Sequence, residues 1–223
     1  LIMILLSACS PQGNTDSTGI PIATGESSES MIATTASTPA EVDPAFGLLF
    51  MREEEMLAHD VYIFLHDKWG LRMFQNIANS EQLHTDAVAS LLLAYNLPDP
   101  SEGKAAGQFS DPTLQALYDE LIGRGTTSLA NAIKVGAAIE EIDILDLQEY
   151  LEMDLPADVR QVYENLLAGS YNHLVSFTST LERQTGEIYT PQYMSIEAYN
   201  DALAQGGTTG RGGTGYWEQT PTP

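Results

Sequence analysis

Residues 76–84 carry the pattern around which this chain is organised, and they read Asn76-Ile77-Ala78-Asn79-Ser80-Glu81-Gln82-Leu83-His84. In a helix, Glu81 and His84 are three residues apart and therefore lie on one face. That face also carries apolar and aromatic residues, namely Phe74, Ile77, Val88, Leu91 and Tyr95. Burying a carboxylate and an imidazole costs free energy unless each finds a partner. A Glu-x-x-His pair that points into a helical bundle is one way to bind a metal ion.

The composition restricts the partners that the protein can have. A chain of 223 residues is long enough for one domain with a real core and tails. Nine basic against 31 acidic residues give a formal charge of −22, which argues against binding to nucleic acid or to an anionic membrane surface. Cys9 is the single cysteine, so neither an internal disulfide nor a zinc–thiolate site can form.

The first 43 residues predict a lipid anchor followed by a tether. Residues 1–6 are wholly apolar, and Leu6-Ser7-Ala8-Cys9 looks like a bacterial lipoprotein signal, in which cleavage precedes Cys9 and that cysteine is lipidated. Residues 10–43 are rich in Ser, Thr, Pro, Gly and Ala and read as a flexible linker. We therefore expect an extracytoplasmic protein of the bacterial cell envelope, attached to the membrane through Cys9. The alternative is an N-terminal cysteine without this role.

Residues 44–205 show an almost entirely helical pattern, whereas residues 206–223 are rich in Gly and Thr and read as a disordered tail. Four long helices are expected, at about residues 44–68, 74–96, 127–153 and 156–184. A connection of about 28 residues separates the second from the third and contains a short helix that Asp111 and Pro112 begin. A last short helix is expected at about residues 195–203. The predicted fold is all-α, a four-helix bundle with one long crossover.

Polar residues interrupt the apolar stripes of the other long helices as well. Glu55 lies on the stripe of the first helix, Glu140 and Asp143 on that of the third, and His173 on that of the fourth. When all four helices place an acid or a histidine on the apolar face, a solvated surface is a poor explanation and metal ligation is favoured. A buried hydrogen-bonded network without metal would also satisfy these groups.

Four segments carry a resemblance to known proteins. They are Glu54-Glu55-x-Leu57-Ala58-x-Asp60-Val61-Tyr62, Asn76-Ile77-Ala78-x-Ser80-Glu81-x-x-His84, Val135-Gly136-Ala137-x-Ile139-Glu140-Glu141-x-Asp143-Ile144 and Gly169-Ser170-x-Asn172-His173-Leu174. The chain resembles the ferritin-like superfamily of di-iron and di-manganese bundles. It is more closely similar to an uncharacterised prokaryotic group known as domain of unknown function 2202. The similarity spans about residues 45–200.

The resemblance implies a set of metal ligands. In the superfamily, an acid of the first helix, an acid and a histidine of the second, an acid of the third, and an acid and a histidine of the fourth hold two metal ions. Carried over to this sequence, the ligands are Glu55, Glu81, His84, Glu140 and His173.

The match is incomplete on the fourth helix, where Ser170 stands in the position of the expected acid. Either Asp143 replaces that acid, or a single metal ion binds, or the site is degenerate. A hydroxyl is a poorer ligand than a carboxylate for a hard divalent cation. The neighbouring Asn172 could supply an oxygen or a supporting hydrogen bond.

Other residues have supporting or alternative roles in this interpretation. Tyr62 matches a tyrosine often found near such sites, and Glu141 could replace Glu140 after a modest rotation of the helix. Asp60 could orient a ligand histidine or be an ordinary surface acid. Glu53 and Glu54 are expected to face water near the start of the first helix.

Carboxylate and imidazole ligands without a thiolate favour iron or manganese, with zinc as an alternative. The resemblance implies a site that reacts with oxygen or peroxide, with Tyr62 as an electron donor. The other interpretation is a non-enzymatic helical module that binds metal or serves as a scaffold with a degenerate site. The sequence does not decide between an enzyme and a binding protein.

Overall fold

The structure is a computed structural model, and it describes residues 44–209. The predicted lipoprotein signal at 1–9, with Cys9, the linker at 10–43 and residues 210–223 of the predicted tail lie outside the described residues. The described part contains six helices and no strand, which confirms the all-α prediction. The helices are α1 (Pro44–Trp69), α2 (Arg72–Ala94), α3 (Pro112–Gly125), α4 (Leu129–Leu151), α5 (Ala157–Thr185) and α6 (Ile196–Thr209).

The ends of the helices follow from local sequence. Gly70 adopts a left-handed conformation with φ of +68° and ends α1. The Asp111 carboxylate accepts hydrogen bonds from the backbone N–H groups of Thr113 and Leu114, and it thereby caps α3 as predicted. Only α6 differs notably from expectation, because it continues to Thr209 and so includes the first residues of the predicted tail. None of the described helices combines the length and apolar character needed to cross a bilayer.

The helices pack in pairs. α1 packs on α2 and α4 on α5, while contacts of α2 with α5 and of α1 with α4 join the two pairs. The crossover helix α3 packs on α1 and α4, and α6 packs on α5. Each pair is antiparallel, because the links between its helices are short.

The buried apolar residues form two clusters, one towards each end of the long helices. The larger cluster includes Leu57, Val61, Phe74, Ile133 and Phe177. The smaller includes Leu48, Met51, Val88, Leu147 and Tyr163. On each long helix, buried acids or histidines lie close to the boundary between these two sets. The fold therefore places a polar layer between two apolar layers.

Two carboxylates of α1 hold the crossover in place. Glu53 accepts hydrogen bonds from the backbone N–H groups of Ser110 and Asp111, the latter at 2.8 Å. Asp60 accepts one from Gly107 N at 2.7 Å and lies 2.9 Å from Nδ1 of His59. The prediction that Glu53 faces water is wrong, because the crossover covers this side of α1 and leaves Glu53 only 2% exposed.

Glu141 holds the connection between α5 and α6. Its carboxylate accepts hydrogen bonds from the backbone N–H groups of Gln192, Tyr193 and Met194 at 2.8–3.0 Å. The Tyr189 hydroxyl donates to the same carboxylate at 2.6 Å. These hydrogen bonds hold the Glu141 carboxylate at the α5–α6 connection, which argues against Glu141 replacing Glu140 in a metal site.

We expect Glu141→Gln to lower the free energy of unfolding by about 2–4 kcal/mol. The substitution removes a charged acceptor and leaves buried N–H groups facing an amide, and hydrogen bonds to charged groups contribute about 1.5–3 kcal/mol each. Urea denaturation measures the loss, with the exposed Glu164→Gln as control. A loss below about 1 kcal/mol would contradict the assignment.

Candidate metal centre

The polar layer brings together side chains from four helices. Glu55 comes from α1, Glu81 and His84 from α2, Glu140 from α4, and His173 from α5. The three acids are 1–2% exposed and His173 is 8% exposed. The His84 side chain is the most accessible of the five, at 13%. The structure thus places all five residues that the resemblance indicated in one buried layer.

The five residues form two groups that share Glu81. In the first group, Nδ1 of His84 lies 2.7 Å from Oε2 of Glu81 and 3.2 Å from Oε2 of Glu55. In the second, Nδ1 of His173 lies 2.8 Å from Oε1 of Glu81 and 3.5 Å from Oε2 of Glu140. Within each group, one ligand atom of every residue lies within 4.8 Å of the others. Each oxygen of Glu81 therefore serves a different histidine.

Several of these atoms converge without forming hydrogen bonds. Oε1 of Glu81 and Nδ1 of His173 are 2.8 Å apart, yet neither makes an aligned hydrogen bond. Oε1 of Glu55 is also buried without a hydrogen-bond donor. Buried polar atoms in folded proteins are nearly always paired, so atoms that converge without an aligned proton are suited to sharing a cation. The residues present fit a metal ion on this ground.

The charges within the layer shift the pKa values of both histidines and of Glu81. Burial lowers the pKa of His84, but the hydrogen bonds and charges of Glu55 and Glu81 outweigh it and raise that pKa to about 11. For His173, Glu81 and Glu140 outweigh burial and raise the pKa to about 10. Burial raises the pKa of Glu81, but the two histidines outweigh it and hold the pKa below its usual range. A metal ion must therefore displace protons from both imidazoles.

Asp143 and Ser170 form a contact beside the two groups. The Asp143 carboxyl lies within hydrogen-bond distance of Oγ of Ser170, which also lies 3.0 Å from the carbonyl of Leu166. Burial and the charges of Glu55 and Glu140 raise the pKa of Asp143 well above its usual range. The Ser170 hydroxyl is the donor, to the Asp143 carboxyl or to the Leu166 carbonyl. Asp143 thus contacts the position of the missing acid but belongs to neither three-residue group.

Sequence reasoning missed Glu54 and Asp146. Both are 4% exposed, and burial together with the charges of Asp146 and Asp143 raises the pKa of Glu54 well above its usual range. The prediction that Glu54 faces water is wrong, because α4 packs against this turn of α1. The sequence does contain a signal for Asp146. Glu140, Asp143 and Asp146 follow one another at intervals of three residues, so they lie on one side of a helix.

The complete layer has more acid than its histidines can neutralise. Six buried carboxyl groups face two imidazoles. They belong to Glu54, Glu55, Glu81, Glu140, Asp143 and Asp146, together with His84 and His173. Neighbouring carboxylates in a buried site cannot all ionise without compensating positive charge. The layer therefore requires bound protons, bound cations or both.

The remaining candidate residues have different positions. The Tyr62 hydroxyl donates a hydrogen bond of 2.5 Å to Oε1 of Glu140, so the tyrosine contacts the layer. The side-chain amide of Asn172 donates to the Ala168 carbonyl on its own helix. Asp60 has its contacts at the crossover, away from both histidines of the layer.

Gly169 leaves the space that the His84 ring occupies. A Cβ atom at Gly169 would lie 2.6 Å from Cε1 and 2.7 Å from Nε2 of His84, but 3.9 Å from Cε1 of His173. The nearest atoms belong to the far end of a side chain, so a methyl group at this position would displace the His84 ring rather than the backbone.

We expect Gly169→Ala to weaken binding at the Glu55, Glu81 and His84 group by about 10- to 100-fold, because small displacements of ligands have effects of this size. The other group should keep its affinity. Calorimetric titration with Mn²⁺ would show one step weakened. The control is Gly123→Ala, where no atom lies within 4 Å of the new Cβ. Equal weakening of both steps would contradict the assignment.

Comparisons with known proteins give a sequence family and a relative with a solved structure. The sequence family described as "Uncharacterized protein domain (DUF2202)" matches residues 44–205. A relative, Uncharacterized protein MJ0754 of Methanocaldococcus jannaschii, is 44% identical over 173 residues, which cover 78% of this chain and 93% of that protein. A crystal structure of hypothetical protein MJ0754 from Methanococcus jannaschii matches with a TM-score of 0.70 at 46% identity, covering 75% of this chain and 95% of that chain.

Proposed function

The chain belongs to the DUF2202 family of uncharacterized protein domains, and from the chemistry of its buried layer we propose that it binds two metal ions. Each ion would be held by one group, through Glu55 and His84 or through Glu140 and His173. Glu81 would contribute to both groups, because each of its oxygens lies beside a different histidine. The observation that carries the proposal is the position of the Glu81 oxygens, 2.7 and 2.8 Å from Nδ1 of the two histidines.

We propose iron or manganese as the bound metal, with zinc as the alternative. Carboxylate oxygens and imidazole nitrogens without thiolate suit these ions. Each group would supply three protein ligands, the number that catalytic metal sites commonly have. Iron or manganese held in this way would supply redox chemistry toward oxygen or peroxide. Tyr62 would fix the orientation of Glu140 through its 2.5 Å hydrogen bond.

The proposed architecture is a ferritin-like four-helix bundle made of α1, α2, α4 and α5. Two antiparallel pairs joined by the long connection that contains α3 support it, together with the contacts of α2 with α5 and of α1 with α4. Metal sites in bundles of this kind are built from inward-facing Glu and Glu-x-x-His residues. Likeness of fold alone is a weak argument for the reaction, so the proposal depends on the site.

A non-enzymatic role is the second candidate, and a specific observation favours it. The two histidines have raised pKa values and already neutralise part of the acid around them. A buried polar network can be stable in this form without metal. Such a protein would be a helical scaffold or a metal-binding module.

Metal analysis distinguishes the candidates. The protein, purified without chelator and loaded with Mn²⁺ or, under anaerobic conditions, with Fe²⁺, should retain two ions per chain after gel filtration. A value of zero would contradict the metal proposal, and a value of one would contradict the assignment of one ion to each group. Oxygen or peroxide consumption by the Fe²⁺-loaded protein would favour an enzyme, whereas retained metal without consumption would favour a binding module.

We also propose that Cys9 is lipidated and attaches the protein to the outer side of a bacterial membrane. The supporting observation is the apolar segment before Leu6-Ser7-Ala8-Cys9. Metabolic labelling with a fatty-acid analogue should mark the wild-type protein in the membrane fraction but not the Cys9→Ser variant. Equal labelling of both would contradict the proposal.

A further inference from the structure

Two arginines of the described residues, Arg72 and Arg183, differ from the other arginines in their partners. Arg52 pairs with Asp99, Arg124 with Glu120 and Lys134 with Glu187. By contrast, no carboxylate of the described residues lies within ion-pair distance of Arg72 or Arg183. Nη2 of Arg183 donates a hydrogen bond of 2.7 Å to Oγ1 of Thr180, which leaves most of its donors available. Arg160 also lies outside ion-pair distance of a carboxylate, but its guanidinium donates to the carbonyls of Leu151 and Met153. Among the arginines that the structure describes, Arg72 and Arg183 therefore keep the most donors available.

Both arginines line one cavity. The cavity has a volume of about 660 Å³ and lies between the start of α2 and the end of α5. Its polar lining adds Asn76, Ser176, Ser179 and Thr180 to the two arginines, and no acid contributes to it. Its volume lies within the range of about 300–1,000 Å³ that is typical of small-molecule sites.

The start of α2 adds further positive potential. Leu71 occupies the N-cap position and makes no side-chain capping hydrogen bond. The Phe74 N–H already donates to the Leu71 carbonyl at 3.1 Å, but the N-terminal end of a helix carries a partial positive charge. The arginines and this helix end therefore act on the same cavity.

The rest of the lining is apolar. Leu71, Met73 and Ile77 form this part. A ligand with a charged head and a hydrocarbon body would match both parts, because guanidinium groups bind carboxylate or phosphate with directed hydrogen bonds and the apolar side chains would cover the body.

We propose that this cavity binds a small organic anion, with its carboxylate or phosphate group at Arg72 and Arg183 and its apolar part against Leu71, Met73 and Ile77. The charge of −22 on the whole chain does not prevent this, because ions in solution screen distant charges beyond about 8–10 Å. Nearby donors therefore decide the binding.

The cavity adjoins the candidate metal centre along two helices. Ile77 precedes Glu81 by four residues on α2, and Ser176 follows His173 by three on α5. These spacings correspond to about one helical turn, or about 5.4 Å along each axis. The charged group at Arg72 and Arg183 would lie nine and ten residues from Glu81 and His173, about 13–15 Å along the helix axes, so we propose the anion as a ligand of the cavity and not as a substrate of the metal centre. Binding of the anion does not depend on the metal.

The test uses the whole chain in metal-free form, titrated with sodium hexanoate in a calorimeter. Neutral hexanamide tests the need for the charge, and inorganic phosphate tests the need for the apolar body. We expect hexanoate to bind with a Kd of about 1 mM or lower, and hexanamide and phosphate to bind at least about tenfold more weakly. The Arg72→Gln/Arg183→Gln double variant should lose at least about tenfold in hexanoate affinity.

The control is Arg124→Gln, which alters a second cavity of about 430 Å³ where Arg124 and Lys134 are already paired with acids. It should bind hexanoate as the wild type does. The proposal is overturned if hexanoate does not bind, if the double variant binds equally well, or if Arg124→Gln loses as much affinity. Tight binding of inorganic phosphate without binding of hexanoate would contradict the proposal that the ligand has an apolar part. The metal content of the double variant should remain that of the wild type, so failure here is distinguishable from failure of the metal centre.

Discussion

Glu81→Gln is expected to abolish tight binding of both metal ions, whereas Glu55→Gln and Glu140→Gln should each impair one. The reason is that both three-residue groups contain Glu81, while Glu55 and Glu140 belong to one group each. Removing one partner of a buried charge pair costs about 2–5 kcal/mol. An affinity loss of roughly 100-fold or more is therefore expected at both ions for Glu81→Gln.

Metal content and calorimetric titration with Mn²⁺ would measure this pattern. Two ions per chain are expected for the wild type and for the exposed control Glu164→Gln, one for Glu55→Gln or Glu140→Gln, and none for Glu81→Gln. Circular dichroism would establish that each variant remains folded. If Glu81→Gln retained one tightly bound ion, the shared-ligand assignment would be wrong.

The second large effect is the dependence of stability on pH, which metal should reverse. Without metal, the protein should lose stability as the pH rises from about 5 to 9. Burial raises the pKa of Glu55 from 4.5 to about 7, so the folded chain binds more protons than the unfolded chain in that interval. Stability is then highest at the acidic end and falls by about 3 kcal/mol through this group.

The histidines act in the same direction at higher pH. The pKa values of His84 and His173 are raised from 6.5 to about 11 and about 10. Their stabilising effect is complete below pH 6.5 and is lost as the pH rises through the folded values. Glu81 acts oppositely, since its lowered pKa gives stability above about pH 4.5 that is lost on further acidification. The metal-free optimum should therefore lie near pH 5.

Mn²⁺ should stabilise the protein little at pH 5 and strongly at pH 8, because binding requires the ionised acids and neutral histidines. At 100 to 1,000 times the Kd, a ligand adds about 3–4 kcal/mol, which corresponds to a Tm increase of about 10 °C. Thermal unfolding with Mn²⁺ or with EDTA at pH 5–8 tests this, with Glu81→Gln as the variant that should not respond. An equal Tm increase at every pH would refute the coupling.

The helices could be predicted from local sequence signals, and the residues of the candidate site could be predicted from their spacing along each helix. Gly70 and Asp111 set helix ends where the sequence indicated them. The three-residue spacing of Glu81 and His84 placed both on the buried face of α2, where the structure also has them. Such signals act within one helix, so they do not depend on how the helices pack.

Choices between neighbouring residues depended on packing and could not be made from one sequence. Glu140 and Glu141 differ by only one position, and both are buried, but only the first belongs to a metal-ligand group, while the second binds the α5–α6 connection. Glu54 was assigned to water because it lies near the start of a helix. Glu54 is buried because α4 packs against it, and the sequence of α1 alone does not indicate that contact.

The three consecutive acids Glu53, Glu54 and Glu55 of α1 have three different surroundings. Their short spacing connects the crossover to the polar layer. Glu53 binds the backbone N–H groups of Ser110 and Asp111, and Glu55, two residues later, belongs to the layer. An ion that immobilises this turn of α1 would also slow the exchange of those two amide hydrogens with solvent. Protection of the Ser110 and Asp111 amides from hydrogen exchange would then indicate whether metal is bound, although their segment supplies no metal ligand.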